Sequence, residues 1–370
     1  MFSYISNLKL NNFRNYQHRN FNFSSKNIAF YGSNGVGKTN ILEAISILCK
    51  GRGLKNSDFD EMLCFKSSGL DKDQFGIFAK IENHPEIENI GTLFDKNNRK
   101  KIFQINGQKI GNNPSSVLPT VIWLTPQMDN LFYSSKQNRR NFLDKIVSDI
   151  NSDHQSMINS YDKNLRERIN LLCNFEGKKN DIWLDIIEQN LAENAIAIAS
   201  ARNEALEVLN KAILDGSENF TKAKLEIIGE TENHLLEEKA IMVEENYKKI
   251  LKNNRVLDAK SKRTNFGIHR SDLNANLIEK NIPANLCSTG EQKSILIAIT
   301  FARIRLCQYL NQNLVILLLD EIISHLDDKK RKNLLSELNN INCQSFLSAT
   351  HKEFYQDLFL DNQTEFLEIF

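Results

Sequence analysis

Gly32-Ser33-Asn34-Gly35-Val36-Gly37-Lys38-Thr39 fits the pattern G-x-x-x-x-G-K-[ST] at every fixed position. The glycines permit a sharp turn that aims several backbone N–H groups into one concavity. Upstream, Ile28–Phe30 reads as a short buried strand. Downstream, Ile41, Leu42, Ile45 and Leu48 recur at helical spacing and predict a helix starting near Thr39. Strand, glycine loop and helix in this order make a phosphate cradle, and the helix adds its positive N-terminal end. Lys38 is then the candidate holder of β- and γ-phosphates and the Thr39 hydroxyl a candidate Mg²⁺ ligand, with Asn40 beside them. The alternative is a chance glycine loop, and the flanking elements argue against it.

A second stretch supports the first. Leu314–Leu319 is an uninterrupted apolar run that ends in Asp320-Glu321. It reads as a buried strand delivering two acids, the Walker B arrangement. Asp320 would assist Mg²⁺ coordination through water, and Glu321 would orient the attacking water and accept its proton. The alternative is a solvated acidic pair capping the next helix.

Three further stretches resemble elements of ABC ATPases. Ser288-Thr289-Gly290-Glu291-Gln292 resembles the Leu-Ser-Gly-Gly-Gln signature and departs from it at Cys287 and Thr289. Ser288 can donate to a phosphate oxygen and Gly290 permits close approach; a plain N-capped helix start is the alternative. Ser324-His325-Leu326-Asp327 resembles the D-loop, with Asp327 as its acid; alone it would read as a helix N-cap. His351, after Ser348-Ala349-Thr350, stands where such enzymes carry a switch histidine. Gln127 stands where they carry a glutamine that senses Mg²⁺ and water. A structural histidine and a surface glutamine are the alternatives.

The rest of the chain sets these motifs in order. Ile5, Leu8 and Leu10, then Phe21 and Phe23, predict two short strands around Asn11–Tyr16. Phe103–Ile110 predicts a hairpin about Asn106-Gly107, and Val121–Leu124 another strand. From Arg139 to Val256 glycine and proline nearly vanish and apolar residues recur at helical spacing, as in Ile182, Ile186, Ile187, Leu191 and Ala195. This predicts long helices, interrupted at Gly177 and by a strand-like patch at Leu225–Ile228. Beyond Asn265 strands and helices alternate again: helices over Glu291–Leu310 and Asp328–Asn339, strands over Leu314–Leu319 and Ser345–Ser348. The expected fold class is α/β, an ABC-type P-loop ATPase head with a mixed sheet and an inserted, mainly helical arm. Residues 1–138 would form the N-terminal part of the head, 139–256 the arm and 257–370 the C-terminal part of the head.

Composition narrows the setting. Of 370 residues, 47 are Lys or Arg and 46 Asp or Glu, a formal net charge of +1. No overall field draws this chain to a polyanion, so nucleic-acid binding would need local basic patches. The six cysteines, Cys49, Cys64, Cys173, Cys287, Cys307 and Cys343, include no C-x-x-C pair. They read as reduced, buried side chains of a cytoplasmic protein rather than a zinc or redox site. No signal peptide is visible, and the longest apolar run, Leu314–Leu319, is too short to span a bilayer, so no membrane role is expected.

The layout, with the phosphate loop early, signature and Walker B late and helices between, resembles the SMC-like DNA ATPases, and the arm is too short for a long SMC coiled coil. Specific stretches resemble the RecF family. They are Leu8–Tyr16, with Asn-Phe-Arg-Asn-Tyr intact, Gly51–Lys55, Arg139–Asp144, and Gly267–Leu273, where Ile268 replaces the family's proline. The family usually has Pro-Glu at Pro126-Gln127 and often lacks a histidine at 351.

The resemblance implies ATP and Mg²⁺ as ligands, weak DNA-stimulated ATP hydrolysis, and an ATP-dependent homodimer sharing two nucleotides. It also implies binding to single-strand gaps beside duplex without sequence specificity, and work with RecR and RecO in loading the RecA recombinase during the SOS response. Candidate DNA contacts are Arg52, Lys55, Arg139, Arg140, Lys260, Lys262, Arg263 and Lys329-Lys330-Arg331-Lys332; a solvated surface charge is the alternative for each, and the favoured one for any of them taken singly. An SMC-like subunit of another DNA-processing or nuclease complex is the alternative. A transporter ATPase, which would lack the Asn-Phe-Arg-Asn-Tyr opening, and a clamp with a dead site are further ones.

Overall fold

The computed structural model describes residues 2–65, 73–110, 118–174, 178–216, 220–310, 314–358 and 363–370. The chain divides into two compact units. One comprises Met1–Asp129, Glu218–Phe220 and Thr300–Phe370; the other comprises Asn130–Ser217 and Thr221–Ile299.

The first unit carries two sheets with different sequence signatures. β1 (Tyr4–Phe13) and β2 (Tyr16–Asn22) form an antiparallel hairpin closed at Phe13 and Tyr16. With β4 (Gln74–Glu82), β5 (Asn89–Asp95), β6 (Lys100–Ile105) and β7 (Gln108–Lys109) they make an antiparallel sheet in the order β2-β1-β4-β5-β6-β7. β4 shows why: Phe75, Ile77, Ala79 and Ile81 are buried at every second position, leaving one face for solvent. The β6–β7 turn is the expected Asn106-Gly107, with φ of 49° and 79°, the left-handed pair that a two-residue hairpin turn needs.

The second sheet of this unit is parallel throughout its described strands. Its order is β14-β3-β13-β12-β8, built from β3 (Asn27–Tyr31), β8 (Thr120–Leu124), β12 (Val315–Asp320), β13 (Gln344–Ala349) and β14 (Thr364–Glu368). Parallel and antiparallel pairing are thus segregated between two sheets. β12 and β13 are buried at every residue, as strands covered on both faces must be. α1 (Lys38–Ser46) packs on β12 and β13. Gln344, fully buried, links the sheets: its amide accepts from Ile5 N at 2.8 Å and donates to Ile5 O at 3.0 Å.

The second unit is mainly helical: α2 (Lys136–Ile150), α3 (His154–Asn174), α4 (Lys178–Leu214), α5 (Glu230–Glu237), α6 (Ala240–Asn253) and α7 (Arg255–Ser261). The expected strand near Leu225–Ile228 is β9 (Ala223–Ile228), paired antiparallel with β10 (Asp272–Leu277), which in turn pairs with β11 (Ile282–Pro283). That pairing gathers 257–299 with the helices, so the unit extends past the limits of 139 and 256 expected for the arm. The expected interruption at Gly177 lies outside the described residues. Tyr161, Leu191, Ala195, Ile198 and Tyr247 form the core.

Two buried arginines tie the helices together. Arg168 reaches Glu188 at 2.9 Å, Asp258 at 2.7 Å and the Leu251 carbonyl at 2.7 Å. Arg202 grips both oxygens of Asp144, at 2.8 and 2.9 Å, and reaches Glu232 at 2.9 Å. Their partners are carboxylates and carbonyls, with the Thr264 hydroxyl at 3.1 Å completing the set around Arg168, which is the condition for keeping a guanidinium out of water.

Candidate functional site

The carboxyl edge of the parallel sheet gathers the candidate residues of the first unit. The phosphate loop follows β3, Asp320 ends β12, His351 lies just past β13 and Gln127 just past β8. A crevice at this edge is where parallel α/β sheets bind ligands.

The loop turns on its glycines. Gly37 has φ 112° and precedes α1; a Cβ there would come within 2.5 Å of Asn15 Nδ2 and 2.6 Å of Tyr16 Oη. Gly32 has φ 143°, and a Cβ on it would lie 2.3 Å from the Ile369 carbonyl. Gly35 also has positive φ, at 85°; Ser33, Asn34 and Val36 fill the loop between these glycines. Lys38 is buried and folds back over the loop, donating to Gly32 O at 2.6 Å and Ser33 O at 2.9 Å. Burial pushes its ammonium below the usual lysine range, opposed by the nearby carboxylates of Glu321 and Asp320.

Sheet register brings the Walker B acids to this loop. Asp320 pairs with Ser348 across β12 and β13. Its Oδ1 accepts from Thr39 Oγ1 at 2.9 Å and from Ser348 Oγ at 2.7 Å. The next residue, Glu321, has φ 54°, a left-handed conformation that costs a glutamate roughly 1–2 kcal/mol. Its N–H donates to Ser348 Oγ at 3.0 Å. Tyr355, within electrostatic reach of both acids, is fully buried and donates to Phe30 O at 3.0 Å.

Gln127 and His351 are both exposed at this edge, and neither is tied by a hydrogen bond to the Lys38–Asp320 cluster. His351 lies against Phe354, ring centroids 6.2 Å apart. Asp327 is the N-cap of α9 (Asp328–Asn340), accepting from Lys330 N at 2.9 Å, which holds its carboxyl below the usual range. In the same segment the Ser324 hydroxyl is buried without a hydrogen-bond partner among the described residues.

The signature stretch belongs to the second unit and opens α8 (Thr289–Tyr309). Ser288 and Glu291 form a capping box: Ser288 N and Oγ each donate to Glu291 Oε2 at 2.8 Å, and Glu291 N donates to Ser288 Oγ at 3.4 Å. Lys280 pairs with the other Glu291 oxygen, and Lys280 and Ser288 together hold that carboxyl at about 2. Gly290 is the second residue of the helix, and its carbonyl accepts from Ser294 Oγ at 2.8 Å.

Sequence reasoning passed over several residues that shape the site. Asn15 donates to Val36 O at 3.1 Å and accepts from Asn40 Nδ2 at 2.9 Å. Tyr16 donates to Gly37 O at 3.3 Å, and burial pushes its phenol up to about 12. Arg14 forks onto Glu43 of α1 at 2.6 and 2.8 Å. The intact Asn-Phe-Arg-Asn-Tyr motif was the available signal; it braces the loop and the helix behind it. Ser348 carried no signal of its own.

Of the candidate DNA contacts, Arg139 is committed to Asp272 through two bonds of 2.7 Å, and Arg331 is buried against Asp328. Lys55 reaches Asn40 and Glu43, and Arg52 pairs with Asp58 at the surface. Lys260, Lys262 and Arg263 are exposed around the C-terminus of α7, and Lys329 and Lys332 along α9.

The family described as AAA domain matches residues 7–253. The DNA replication and repair protein RecF of Rickettsia typhi is 37% identical over 352 residues, covering 94% of each chain. A solved structure of the recombination mediator protein RecF-ATPrS in the RecFOR pathway superimposes with a TM-score of 0.84 at 24% identity, covering 100% of this chain and 96% of that one. The Smc head domain of Pyrococcus furiosus gives 0.53 at 14% identity, covering 96% and 92%. The ABC-type, SMC-like head expected from the motif order is therefore the fold observed, and the chain belongs to the RecF family of DNA replication and repair proteins.

Proposed function

We propose that the chain binds and hydrolyses ATP with Mg²⁺, and that ATP closes two copies head to tail on gapped DNA. The observation that carries this reading is the Thr39–Asp320–Ser348–Glu321 chain beside a buried Lys38. It sets a cation, a hydroxyl, a carboxylate and a second acid beside a glycine loop of the kind that can turn its N–H groups toward a phosphate.

Among the described residues Lys38 bonds only the loop's own carbonyls, and a phosphate oxygen is a stronger acceptor for that ammonium. The hard oxygens of Thr39 and Asp320 suit Mg²⁺, which keeps water and phosphate in its shell rather than needing a protein cage. No group of three or more His, Cys, Asp or Glu among the described residues forms such a cage. Mg²⁺ bound there would neutralise charge on the β- and γ-phosphate oxygens. Gln127 would join Thr39 and Asp320 near the metal. Glu321 takes the proton of the attacking water, and Lys38 and the loop amides hold the phosphates as charge moves to the leaving oxygen.

Ser288 and Gly290 would serve the nucleotide of a second copy. Any bond from them to that nucleotide would form only in the closed pair, with the Ser288 hydroxyl turning from Glu291 to phosphate, so ATP favours association by mass action. Asp327 and His351 would act at the same junction. Lys260, Lys262, Arg263, Lys329 and Lys332 offer phosphate contacts without base readout, which makes affinity fall steeply with salt. Among the described residues no helix is long and apolar enough to cross a membrane, and the proposed setting is the cytoplasm. The relatives' names place RecF in DNA replication and repair and in the RecFOR pathway. RecR and RecO are accordingly the proposed partners and RecA the proposed beneficiary.

The test is fluorescent-ATP binding and phosphate release by the full chain and by Lys38→Met, with and without gapped DNA. Loss of binding in the variant supports the reading. Unchanged nucleotide affinity would remove the loop as the site.

A further inference from the structure

We propose that Ser348 is a positioning residue for hydrolysis, tying the Asp320 carboxylate to the Glu321 backbone. This inference rests on the ATPase reading above and deepens it. Ser348 is fully buried at the end of β13, where solvent offers it nothing. Its hydroxyl has one proton, and that proton goes to Asp320 Oδ1 at 2.7 Å. One of its lone pairs takes the Glu321 N–H at 3.0 Å.

The two bonds act on neighbouring residues with different needs. Asp320 must keep its carboxylate beside Thr39, whose hydroxyl also reaches Oδ1, at 2.9 Å. Glu321 must hold a φ of 54°, which a glutamate does not adopt unless its surroundings enforce it. The Ser348 carbonyl also accepts from Glu321 N, at 3.2 Å, but a carbonyl cannot reach forward to Asp320 with a proton. The hydroxyl alone couples both acids. Without it, Asp320 Oδ1 keeps only Thr39 among the described residues, and the Glu321 peptide loses its shorter acceptor. Such a residue affects the chemical step rather than nucleotide capture, because the phosphate loop and Lys38 make no bond to it.

The experiment compares wild type, Ser348→Ala, Ser348→Thr and Glu321→Gln as full chains, measuring fluorescent-ATP affinity, KM and kcat. Ser348→Ala is expected to bind ATP within about twofold of wild type while kcat falls about tenfold to a hundredfold, the range for a hydrogen bond to a charged group. Ser348→Thr, which restores the hydroxyl, is expected to recover most of the rate. Wild-type kcat in Ser348→Ala, with Glu321→Gln inactive, overturns the role of Ser348 alone. So does a loss of ATP affinity matching the loss of kcat, since that marks general damage. A wild-type chain that hydrolyses no ATP, or a Glu321→Gln chain as fast as wild type, overturns the ATPase reading itself.

Discussion

Replacing Arg14 with methionine should unfasten the helix behind the phosphate loop. Methionine keeps the apolar stem and removes the fork that holds Glu43, whose side chain is 0% exposed. Breaking a buried pair by removing one partner typically costs about 3–5 kcal/mol, because the remaining charge stays buried. Two features lower that figure here. Arg14 is 18% exposed, and Lys55 stands 3.5 Å from the same carboxylate. The expected loss is therefore about 2–4 kcal/mol. At about 2–4 °C per kcal/mol for a unit of this size, the melting midpoint should fall by about 4–16 °C. The cycle is completed with Glu43→Gln and the double variant, followed by thermal unfolding. The double variant should regain at least about 1 kcal/mol over the sum of the singles, since no buried charge is then left alone. An Arg14→Met chain melting within about 2 °C of wild type, or strict additivity, would refute the reasoning.

Other expectations follow from the same geometry. Gly37→Ala places a Cβ against Asn15 and Tyr16 at a φ of 112°, so titration with fluorescent ATP should show binding weakened at least tenfold; an affinity equal to wild type contradicts the tight loop. Glu321→Asn puts a residue that tolerates left-handed φ at the strained position, so it should melt at or above wild type while phosphate release stops; a lower midpoint argues against strain there. Burial raises the Asp144 carboxyl, but hydrogen bonds from His154 and Arg202 outweigh it and hold it below its ordinary 3.8. A depressed carboxyl gives stability that is full above the unfolded value and is lost as pH falls below it. Chemical denaturation should thus show the helical unit weakening below about pH 4, with Asp144→Asn flattening that slope; an unchanged slope in the variant rejects the assignment.

Much of the architecture was legible because local pattern and burial agree. Leu314–Glu321 could hardly be anything but a covered strand ending in acids, and Asn106-Gly107 announces its turn. What stayed hidden depends on pairing between distant segments. The alternation of Phe75, Ile77, Ala79 and Ile81 is written in the chain, but its partnership with residues 4–13 is not. The placement of 257–299 beside the helices follows from β10 pairing with β9, which no local propensity announces. The site divides the same way. Lys38, Thr39, Asp320 and Glu321 sit in motifs whose residue types state their chemistry. Ser348 gains its place only through the register that sets it opposite Asp320, and Asn15 and Tyr16 only through the hairpin that leans on the loop. Ser288 and Asp327 are both helix caps in the single chain, as their local sequence allows; the roles proposed for them require a second copy.

That second copy is the core of the account, and its direct measurement is the mass of the protein in solution by sedimentation. With Glu321→Gln to stop turnover, ATP and Mg²⁺ should convert monomer to dimer. Adding Ser288→Arg should leave ATP bound and the chain monomeric. A monomer in the first case despite saturating ATP, or a dimer undiminished in the second, would contradict a nucleotide shared between two chains.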